Sequence, residues 1–407
     1  MRILQLHVFS PMGGIETLVP DVSAELSRRG HHVSTLYGHL SGREIAAGPG
    51  TAHRWAEARD FGRVSHDLER FVGEVIKEQR IDVALLHVTI DSGLATAIGR
   101  LVPCAFFAHN FGIICPAGSR LFRLGETICD LVGVPDHRCL VNAYTRGCNT
   151  RRPLELMRRY DRNRSFGDWV RDNAELVCGS SYMAARCLEN GFSSERLHRV
   201  PIPVHIPLKL KHRSDTGRIG TVVFAGRLSV EKGLHYLIQA MAQVTQPSRL
   251  LVAGTGDQER RLGRLCAELG VESRVDFVGY LDRDALTDLY SRADVAVVPS
   301  VWPEPFGMSG PEAMAHGVPV VAARVGGIPE WLNDGETGVL VEPKDPIGLA
   351  GAIDRLLSDK RLARSMGRHA REVVANRYTV TRHVDHLLTA LESATKSRWQ
   401  REAAIQP

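Results

Sequence analysis

The sequence lacks both a long apolar run and an export signal. Its longest apolar stretches, Val83 to Val88 and Pro103 to Ala108, are far shorter than the roughly 20 residues that a membrane-spanning helix needs. Met1 is followed directly by Arg2-Ile3-Leu4, with no basic region, extended apolar segment or small-residue cleavage site. The eight cysteines of such a chain normally stay reduced. We therefore expect a cytoplasmic protein whose short apolar stretches are buried strands.

A general excess of charge is missing as well. The net charge of +5 is local, because eight arginines and only three acidic residues lie between Arg146 and Arg171 while the remainder is balanced. No basic stripe is interleaved with aromatic residues, so we expect no nucleic-acid partner. The spacing of Leu154, Met157 and Tyr160 predicts an amphipathic helix with these residues toward the core and its arginines solvated. The alternative is that some arginines contact an anionic acceptor or a phospholipid surface, which would place the protein peripherally at a membrane.

Short apolar segments alternate with longer amphipathic ones along the chain. Continuously apolar strands are buried on both faces, which indicates a parallel sheet covered by helices. The rhythm restarts after an irregular stretch, Pro201 to Gly217, that suits neither a helix nor a central strand. The expected fold class is α/β, with two domains and a C-terminal helix that packs back on the first. The predicted bounds are 1–205, 206–378 and 379–407, with an insertion over about 111–150.

Four cysteines lie in that insertion, at Cys115, Cys129, Cys139 and Cys148. Their spacing lacks the short Cys-x-x-Cys pairs of a zinc site. We nevertheless hypothesise that they lie close together, as a metal site or as reducible bridges. Four free thiols without bound zinc would remove this idea.

The first strand runs into Gly13-Gly14-Ile15-Glu16 and then a helix. Two glycines at the carboxyl end of a strand let the backbone approach a ligand, and the helix N-terminus behind them favours an anion. A tight strand-to-helix turn without a ligand explains the same residues.

A strand predicted at 221–225 leads into a second glycine-flanked loop, Gly226 to Gly233, which contains Arg227 and Lys232. A guanidinium and an ammonium group five residues apart can converge on one diphosphate at a helix N-terminus. Solvated surface cations are the alternative. Gly254-Thr255-Gly256 follows the next strand and has neither the dinucleotide nor the Lys-Ser/Thr phosphate-loop spacing.

The most informative segment is 303–322, in which seven residues separate two glutamates. Glu304 lies in a loop between prolines, and Glu312 lies in the first turn of a predicted helix. Carboxylates accept hydrogen bonds from sugar and ribose hydroxyls, and the backbone of Phe306-Gly307-Met308-Ser309 can present N–H groups to a ligand. For Glu312 the alternative is a capping box, in which its carboxylate only returns to the N–H group of Ser309.

Together these motifs closely resemble the retaining GT-B glycosyltransferases of family 4, the group 1 glycosyl transferases. The match is strong from about Val222 to Val341 and thinner over the first hundred residues. It implies two Rossmann-like domains with parallel sheets facing a central cleft. The second domain would hold most of a nucleotide-sugar donor, and the first would hold a hydroxyl acceptor that the sequence does not identify.

The resemblance also implies a role for each motif. Arg227 and Lys232 would hold the diphosphate, and Glu312 the ribose. Glu304 would hold the donor sugar, and His109, at the end of an apolar strand, would lie near the transferred sugar. A histidine in that position otherwise has a structural role. The remaining residues expected at the donor are Gly13, Gly14, Gly254, Tyr280, Leu281, Phe306, Gly307, Met308 and Ser309, and Glu16 is expected on the acceptor side.

The implied reaction transfers a hexose-type sugar, preferably from UDP rather than GDP, with retention of configuration. It proceeds on the front face through an oxocarbenium-like state, and the leaving diphosphate helps to deprotonate the acceptor hydroxyl. Arg227, Lys232 and helix N-termini would stabilise the departing phosphates. We expect no protein nucleophile, no cofactor, no catalytic divalent metal and no Asp-x-Asp metal motif of the kind that another glycosyltransferase fold uses.

Other interpretations stay open. A nucleotide-sugar-binding subunit could keep the fold without turnover, and a nucleotide-sugar epimerase could share the architecture. A nicotinamide-dependent dehydrogenase is disfavoured, because G-x-G-x-x-G is missing after the first strand of each half. Donor hydrolysis and product analysis with and without acceptor would separate these possibilities.

Overall fold

In a computed structural model, the chain divides into two compact units. The structure describes residues 1–9, 15–39, 51–55, 66–88, 90–133, 135–208, 210 and 219–405. Unit 1 comprises Met1–Gly125, Cys129–Pro203 and Val380–Pro407, and unit 2 comprises Glu126–Ile128 and Val204–Thr379. Apart from the three residues Glu126–Ile128, these divisions lie within two residues of the bounds expected from the sequence.

Unit 1 contains a parallel sheet covered by helices. Strands are numbered along the chain as β1 (Arg2–Phe9), β2 (His32–His39), β3 (Thr51–Trp55), β4 (Val83–Leu86), β5 (Cys104–Ala108), β6 (Leu121–Phe122), β7 (Thr127–Ile128), β8 (Ala174–Cys178) and β9 (Leu197–Arg199). Of these, β7 falls within the three residues assigned to unit 2. The helices are α1 (Ile15–Arg28), α2 (His66–Glu78), α3 (Ser92–Leu101), α4 (His137–Thr145), α5 (Pro153–Asn173) and α6 (Ser181–Glu189). The seven-stranded sheet has the order β3-β2-β1-β4-β5-β8-β9.

The first strand lies inside this sheet because its residues are apolar on both faces. Ile3 pairs with Val33 of β2 on one side and with Val83 of β4 on the other. Ile3, Leu4 and Leu6 are fully buried. The parallel, doubly covered sheet predicted from continuous apolar runs is confirmed.

Unit 2 contains a second parallel sheet. Its strands are β10 (Gly220–Ala225), β11 (Ser248–Ala253), β12 (Val275–Gly279), β13 (Val295–Val298), β14 (Val320–Ala323) and β15 (Gly338–Val341), in the order β12-β11-β10-β13-β14-β15. Its helices are α7 (Leu234–Met241), α8 (Glu259–Leu269), α9 (Arg283–Arg292), α10 (Ser309–Ala315), α11 (Pro346–Ser358) and α12 (Lys360–Arg377). The core joins β10, β11 and β13 to α7 and α11, for example through Val222, Leu250, Ile238 and Ile353.

The last helix, α13 (Val380–Ile405), belongs to unit 1. It packs against α1 and against strands β4, β5, β8 and β9. Val384, Leu387, Leu391 and Ala394 are buried at helical spacing, as an amphipathic helix on a sheet requires. The α/β class with two Rossmann-like units and a returning C-terminal helix is thus confirmed.

The predicted core face of α5 is wrong in two of its three residues. Tyr160 is buried, but Leu154 and Met157 are exposed, Leu154 by 75%. The helix buries a neighbouring face instead, and the buried residues are Leu156, Tyr160, Asn163, Phe166, Gly167, Trp169 and Val170. Apolar spacing alone missed this face because it includes an asparagine and a glycine.

The insertion packs on α5 through those two residues. Asn163 donates from Nδ2 to the carbonyl oxygens of Cys115 and Pro116, at 3.3 and 3.4 Å. A side chain at Gly167 would meet the carbonyl oxygen of Ile113 at 2.4 Å, so only glycine allows this approach. The loop carbonyls therefore replace apolar side chains on this face of the helix.

The four cysteines of the insertion are free thiols. Burial raises the pKa of Cys148 to about 12, with Cys115, Cys129 and Cys139 adding to the effect, so the four thiols share one neighbourhood. Within the described ranges, however, no three His, Cys, Asp or Glu side chains are grouped so that they could hold a metal ion. The structure therefore supports proximity of the thiols but not a metal site or bridges.

Candidate functional site

Glycines bring the loops after two neighbouring strands of unit 2, β10 and β11, into backbone contact. The N–H of Gly226 donates to the carbonyl of Ala253, and the N–H of Leu228 donates to that of Thr255, both at 2.9 Å. A Cβ atom at Gly254 would lie 1.9 Å from the carbonyl oxygen of Gly226. These close approaches need glycine, and they fix the loop after β10 at the carboxyl edge of the sheet.

Gly233 closes that loop and starts helix α7. It has φ +67°, and a Cβ atom there would lie 1.9 Å from the carbonyl oxygen of Pro299. A 3₁₀ turn over Val230–Lys232 precedes it. The left-handed glycine lets the chain turn from the 3₁₀ segment into the helix while touching the loop after β13.

A buried carboxylate holds Lys232. The Lys232 Nζ lies 2.7 Å from Oε1 of Glu304, and the Ser300 hydroxyl donates to the same oxygen at 2.6 Å. Glu304 is 2% exposed. Its carbonyl oxygen accepts from the N–H of Gly327 at 2.8 Å. A buried charge is stable only when it is paired and hydrogen-bonded, which this arrangement provides.

The second predicted cation takes a different partner. Arg227 Nη2 lies 3.5 Å from Oε1 of Glu231, and the arginine side chain is half exposed. Lys232 and Arg227 are thus both on the same glycine loop, but each is paired with its own carboxylate. Their joint contact with a diphosphate stays a prediction.

Glu312 does not make the capping box that was its alternative role. Helix α10 begins without a side-chain cap, and the backbone N–H of Glu312 donates to the carbonyl of Met308. Burial raises the pKa of its carboxyl group to about 7, while Arg283 acts in the opposite direction. A partly buried carboxyl group that its own helix does not use is available to a ligand, although its ribose contact stays a prediction.

The segment between the two glutamates is held by an indole. Trp331 is fully buried, and its Nε1 donates to the carbonyl of Phe306 at 2.6 Å. Gly310 lies against the same ring, where a Cβ atom would be 2.0 Å away. The Ser309 carbonyl accepts from the Tyr290 hydroxyl at 3.1 Å. Contacts with Trp331 and Tyr290 therefore hold the backbone of residues 306–310 in place.

For the other residues expected at the donor or acceptor, the structure gives the position in the chain and, for some, the backbone conformation or exposure. Gly307 has φ +85°, and Met308 precedes α10. Tyr280 is about half exposed, and Leu281 follows it before α9. Gly13 and Gly14 lie outside the described residues. Glu16 lies in the first turn of α1.

In unit 1, His109 follows β5 and joins a hydrogen-bonded network. Its Nε2 lies 2.9 Å from Nδ1 of His87, whose Nε2 lies 3.0 Å from Oε1 of Gln5. The His109 ring stacks on Phe107, with centroids 4.4 Å apart and planes at 4°. Desolvation lowers the pKa of His109 to about 3, with His383 and His7 adding to it. It also lowers the pKa of His87 well below its usual range, so both rings are neutral near pH 7.

The sequence did not indicate three residues that contact or support the predicted ones, two near Glu304 in unit 2 and one beside His109 in unit 1. Ser300, which donates to Glu304, lies two residues after the end of strand β13. Gly326 carries φ +56° and would clash with the carbonyl of Glu304 as any other residue. His87 ends a run of buried residues just as His109 does. A polar residue or a glycine pair at the carboxyl end of a parallel strand was the available signal for all three.

An Asp-x-Asp triplet does occur in the sequence, at Asp282-Arg283-Asp284. Asp282 caps α9, because its side chain accepts from the N–H of Ala285 at 2.9 Å. Asp284 is exposed in the first turn of the helix. This pair therefore has a local explanation as a helix start.

Comparisons with known proteins agree on one class. A family model described as "Glycosyl transferases group 1" matches residues 211–373. A D-inositol 3-phosphate glycosyltransferase of Corynebacterium diphtheriae is 40% identical over 399 residues, covering 89% of this chain and 86% of that protein. An uncharacterized glycosyltransferase of Methanocaldococcus jannaschii is 41% identical over 160 residues, which span 39% of this chain and only 41% of that relative.

Solved structures with the same fold cover nearly the whole chain. Sucrose-phosphate synthase of Thermosynechococcus elongatus has a TM-score of 0.73 at 22% identity, covering 99% of this chain and 100% of that one. HepE of Anabaena in complex with UDP has a TM-score of 0.70 at 20% identity, covering 97% and 100%. At these identities the likeness concerns the fold alone.

Proposed function

Since this chain belongs to the group 1 glycosyl transferases, we propose that it is a retaining, family 4 hexosyltransferase that uses a UDP-sugar. It is a glycosyltransferase of the GT-B fold that acts on nucleotide sugars. The donor base, the sugar and the stereochemistry are the proposed part. UDP is supported by the fold neighbour HepE, which binds UDP.

One observation carries the proposal, the Lys232–Glu304 pair at the carboxyl edge of the second sheet. The ammonium group lies on a glycine loop, and its 2.7 Å partner is a carboxylate on the loop after β13. An ammonium group suits a phosphate, while a carboxylate suits sugar hydroxyls. The boundary between a sugar and its diphosphate presents these two chemistries side by side.

In the proposed reaction the bond between the anomeric carbon and the donor phosphate oxygen breaks as the acceptor oxygen bonds to the same face. The acceptor proton passes to the leaving phosphate oxygen, so no protein nucleophile is needed. Lys232 and Arg227 stabilise the charge that develops on the diphosphate. We propose that no divalent metal is required, since two cations already lie on the phosphate-binding loop.

The acceptor is proposed as a hydroxyl group on a glycan, a glycolipid or a small polyol. D-inositol 3-phosphate is the first small molecule to test, because a relative that matches over 89% of this chain carries that name. The non-catalytic alternative predicts donor binding without turnover. The epimerase alternative predicts an isomerised nucleotide sugar in the absence of acceptor.

The test is a thermal-shift screen of UDP- and GDP-sugars, followed by product analysis with acceptors in the presence of a chelator. We expect a UDP-sugar to bind and its sugar to be transferred with the anomeric configuration retained. Lys232→Met should abolish transfer, and Lys360→Met, a change of another lysine of unit 2, should not. Inversion, a strict need for a divalent metal, or isomerisation without acceptor would each overturn the corresponding part of the proposal.

A further inference from the structure

A chain of hydrogen bonds with one direction leads from helix α1 to His109. The Ser23 hydroxyl donates to the carbonyl of Val19 at 2.7 Å. The amide nitrogen of Gln5 donates to the Ser23 oxygen at 2.8 Å. From Gln5 the chain continues through His87 to His109, at 3.0 and 2.9 Å.

The first two links determine the direction of the others. Ser23 has a single proton, which it gives to a carbonyl that can only accept, so its oxygen accepts from Gln5. The Gln5 amide therefore turns its oxygen toward His87, and His87 must donate from Nε2. A neutral His87 then has an unprotonated Nδ1, which accepts a hydrogen bond from the Nε2–H group of His109. Gln5, Ser23 and His87 are all buried, so no solvent rearrangement competes with this order.

The outer nitrogen of His109 is the end of the chain. The ring is only partly buried, and no described residue is hydrogen-bonded to its Nδ1. The stacked Phe107 fixes the plane of the ring. With Nε2–H turned inward, Nδ1 carries a lone pair in a fixed direction.

We propose that His87, held by Gln5 and Ser23, is a positioning residue that keeps His109 as the neutral Nε2–H tautomer, so that Nδ1 accepts a hydrogen bond from a substrate hydroxyl group. This inference rests on the proposed function, since it assigns His109 to substrate binding. An accepting nitrogen favours a hydroxyl donor. It disfavours a phosphate or carboxylate oxygen, which can only accept.

The tautomer can be measured without any substrate. In long-range ¹H–¹⁵N spectra of histidine-labelled protein, with His109 assigned by its loss in His109→Asn, we expect the protonated nitrogen to be Nε2. His87→Leu removes the acceptor and should release the tautomer, whereas His87→Asn keeps an oxygen near the position of Nδ1 and should retain it. His383→Leu is the matched control. It removes another buried histidine that stacks on Phe107, with ring centroids 5.8 Å apart, but whose Nδ1 is hydrogen-bonded to the carbonyl oxygen of Pro201 rather than to His109.

Kinetics supply the functional arm. We expect His87→Leu to lower kcat about tenfold, the scale of one lost hydrogen bond, with unchanged nucleotide affinity, and His87→Asn to restore most of it. A wild-type His109 protonated on Nδ1, or a tautomer that is unchanged in His87→Leu, would overturn the proposal even if that variant folded poorly. If the protein transfers no sugar but the tautomer changes as expected, the positioning chain stands and only the proposed function fails.

Discussion

Glu304 and Glu312 were predicted from one motif, but their surroundings differ. Glu304 is buried and accepts bonds from Lys232 and Ser300. Glu312 lies in the first turn of a seven-residue helix, with a raised pKa. The Glu304 carboxylate is hydrogen-bonded to residues of the loops after β10 and β13, whereas the Glu312 carboxyl group does not cap its own helix. Substitution should therefore separate a role in turnover from a role in affinity.

We expect Glu304→Gln to lose turnover far more than nucleotide affinity, because Gln keeps the shape but not the charge beside Lys232. Glu312→Gln should instead weaken both nucleoside diphosphate and donor about tenfold to a hundredfold, the scale of roughly 1.5–3 kcal/mol for a hydrogen bond to a charged group. Calorimetry and initial rates distinguish the two. Glu268→Gln, at an exposed position of α8, is the control. Normal turnover in the first variant together with normal binding in the second would contradict the placement of this motif.

The raised pKa of Glu312 gives a pH dependence of binding. Because burial raises this pKa to about 7, the group gains its charge between about pH 6 and pH 8. An ionised carboxylate accepts a ribose hydroxyl more strongly than a protonated one, so nucleotide affinity should increase over this range. The ratio of wild-type to Glu312→Gln affinity isolates the effect, since the phosphate of the ligand titrates equally with both proteins. A ratio that is flat with pH would speak against a charged contact.

For single residues, the sequence motifs predicted the site residues themselves but not the residues that hydrogen-bond to them. Glu304 was found because it stands alone between prolines, while Ser300 and His87 looked like ordinary strand ends. The network of His109 depends on which nitrogen faces which oxygen, and no sequence spacing contains that information.

Among the elements, the turn from the 3₁₀ segment into α7 is the most constrained by geometry. Gly233→Ala should destabilise unit 2 by roughly 1–3 kcal/mol from backbone strain, because its φ of +67° and the nearby Pro299 carbonyl leave no room for Cβ. Nucleotide affinity should fall as well, since Lys232 is the preceding residue. Gly263→Ala is the control, because a Cβ atom there meets nothing within 4 Å inside α8. Equal urea midpoints for the two variants would show that the loop tolerates the side chain.

Helix α5 shows why an apolar pattern can predict a helix and still misplace its face. The helix exists where the sequence predicted it. Its buried face includes Asn163 and Gly167. These two residues contact backbone carbonyl groups of the insertion rather than apolar side chains of the core. Leu154 and Met157 are left exposed in a stretch rich in exposed arginines.

This exposed side makes the membrane alternative testable. Leu154 shares one helix side with the exposed Arg158, four residues away, and each basic residue near an anionic surface contributes about 1 kcal/mol. If the surface binds phospholipid, Leu154→Ser with Met157→Ser should reduce co-sedimentation with phosphatidylglycerol vesicles, and salt should reduce it further. Ile347→Ser is the control, since Ile347 is 73% exposed in unit 2. If no vesicle binding is found at low salt, the arginines are a solvated face.

Among the described residues, no helix is long and apolar enough to span a membrane.

For the whole molecule, the order of apolar and amphipathic segments was sufficient to predict two parallel sheets and a returning helix. Continuous apolar runs such as Val83 to Leu86 can only be buried on both faces, so the fold class follows from local sequence. The short edge strand β15 did not appear among the predicted strands, and only Gly338 and Val341 of its four residues are buried. The structure of the insertion could not be predicted either, because hydrogen bonds such as that from Asn163 to Cys115 join residues 48 positions apart.

Each unit has its own core, and unfolding should reveal both. Leu387→Ala removes a fully buried side chain of α13 from unit 1, and Leu349→Ala removes one of α11 from unit 2, each at a cost of about 2–5 kcal/mol. A UDP-sugar or UDP that binds unit 2 should raise only the transition that Leu349→Ala lowers, because a ligand stabilises the state it binds. Leu387→Ala should lower the other transition and leave the ligand-induced shift unchanged. Calorimetric scans with and without nucleotide provide the measurement. A single transition that both variants lower equally would show that the two cores unfold as one cooperative body, and the nucleotide shift could then not be assigned to unit 2.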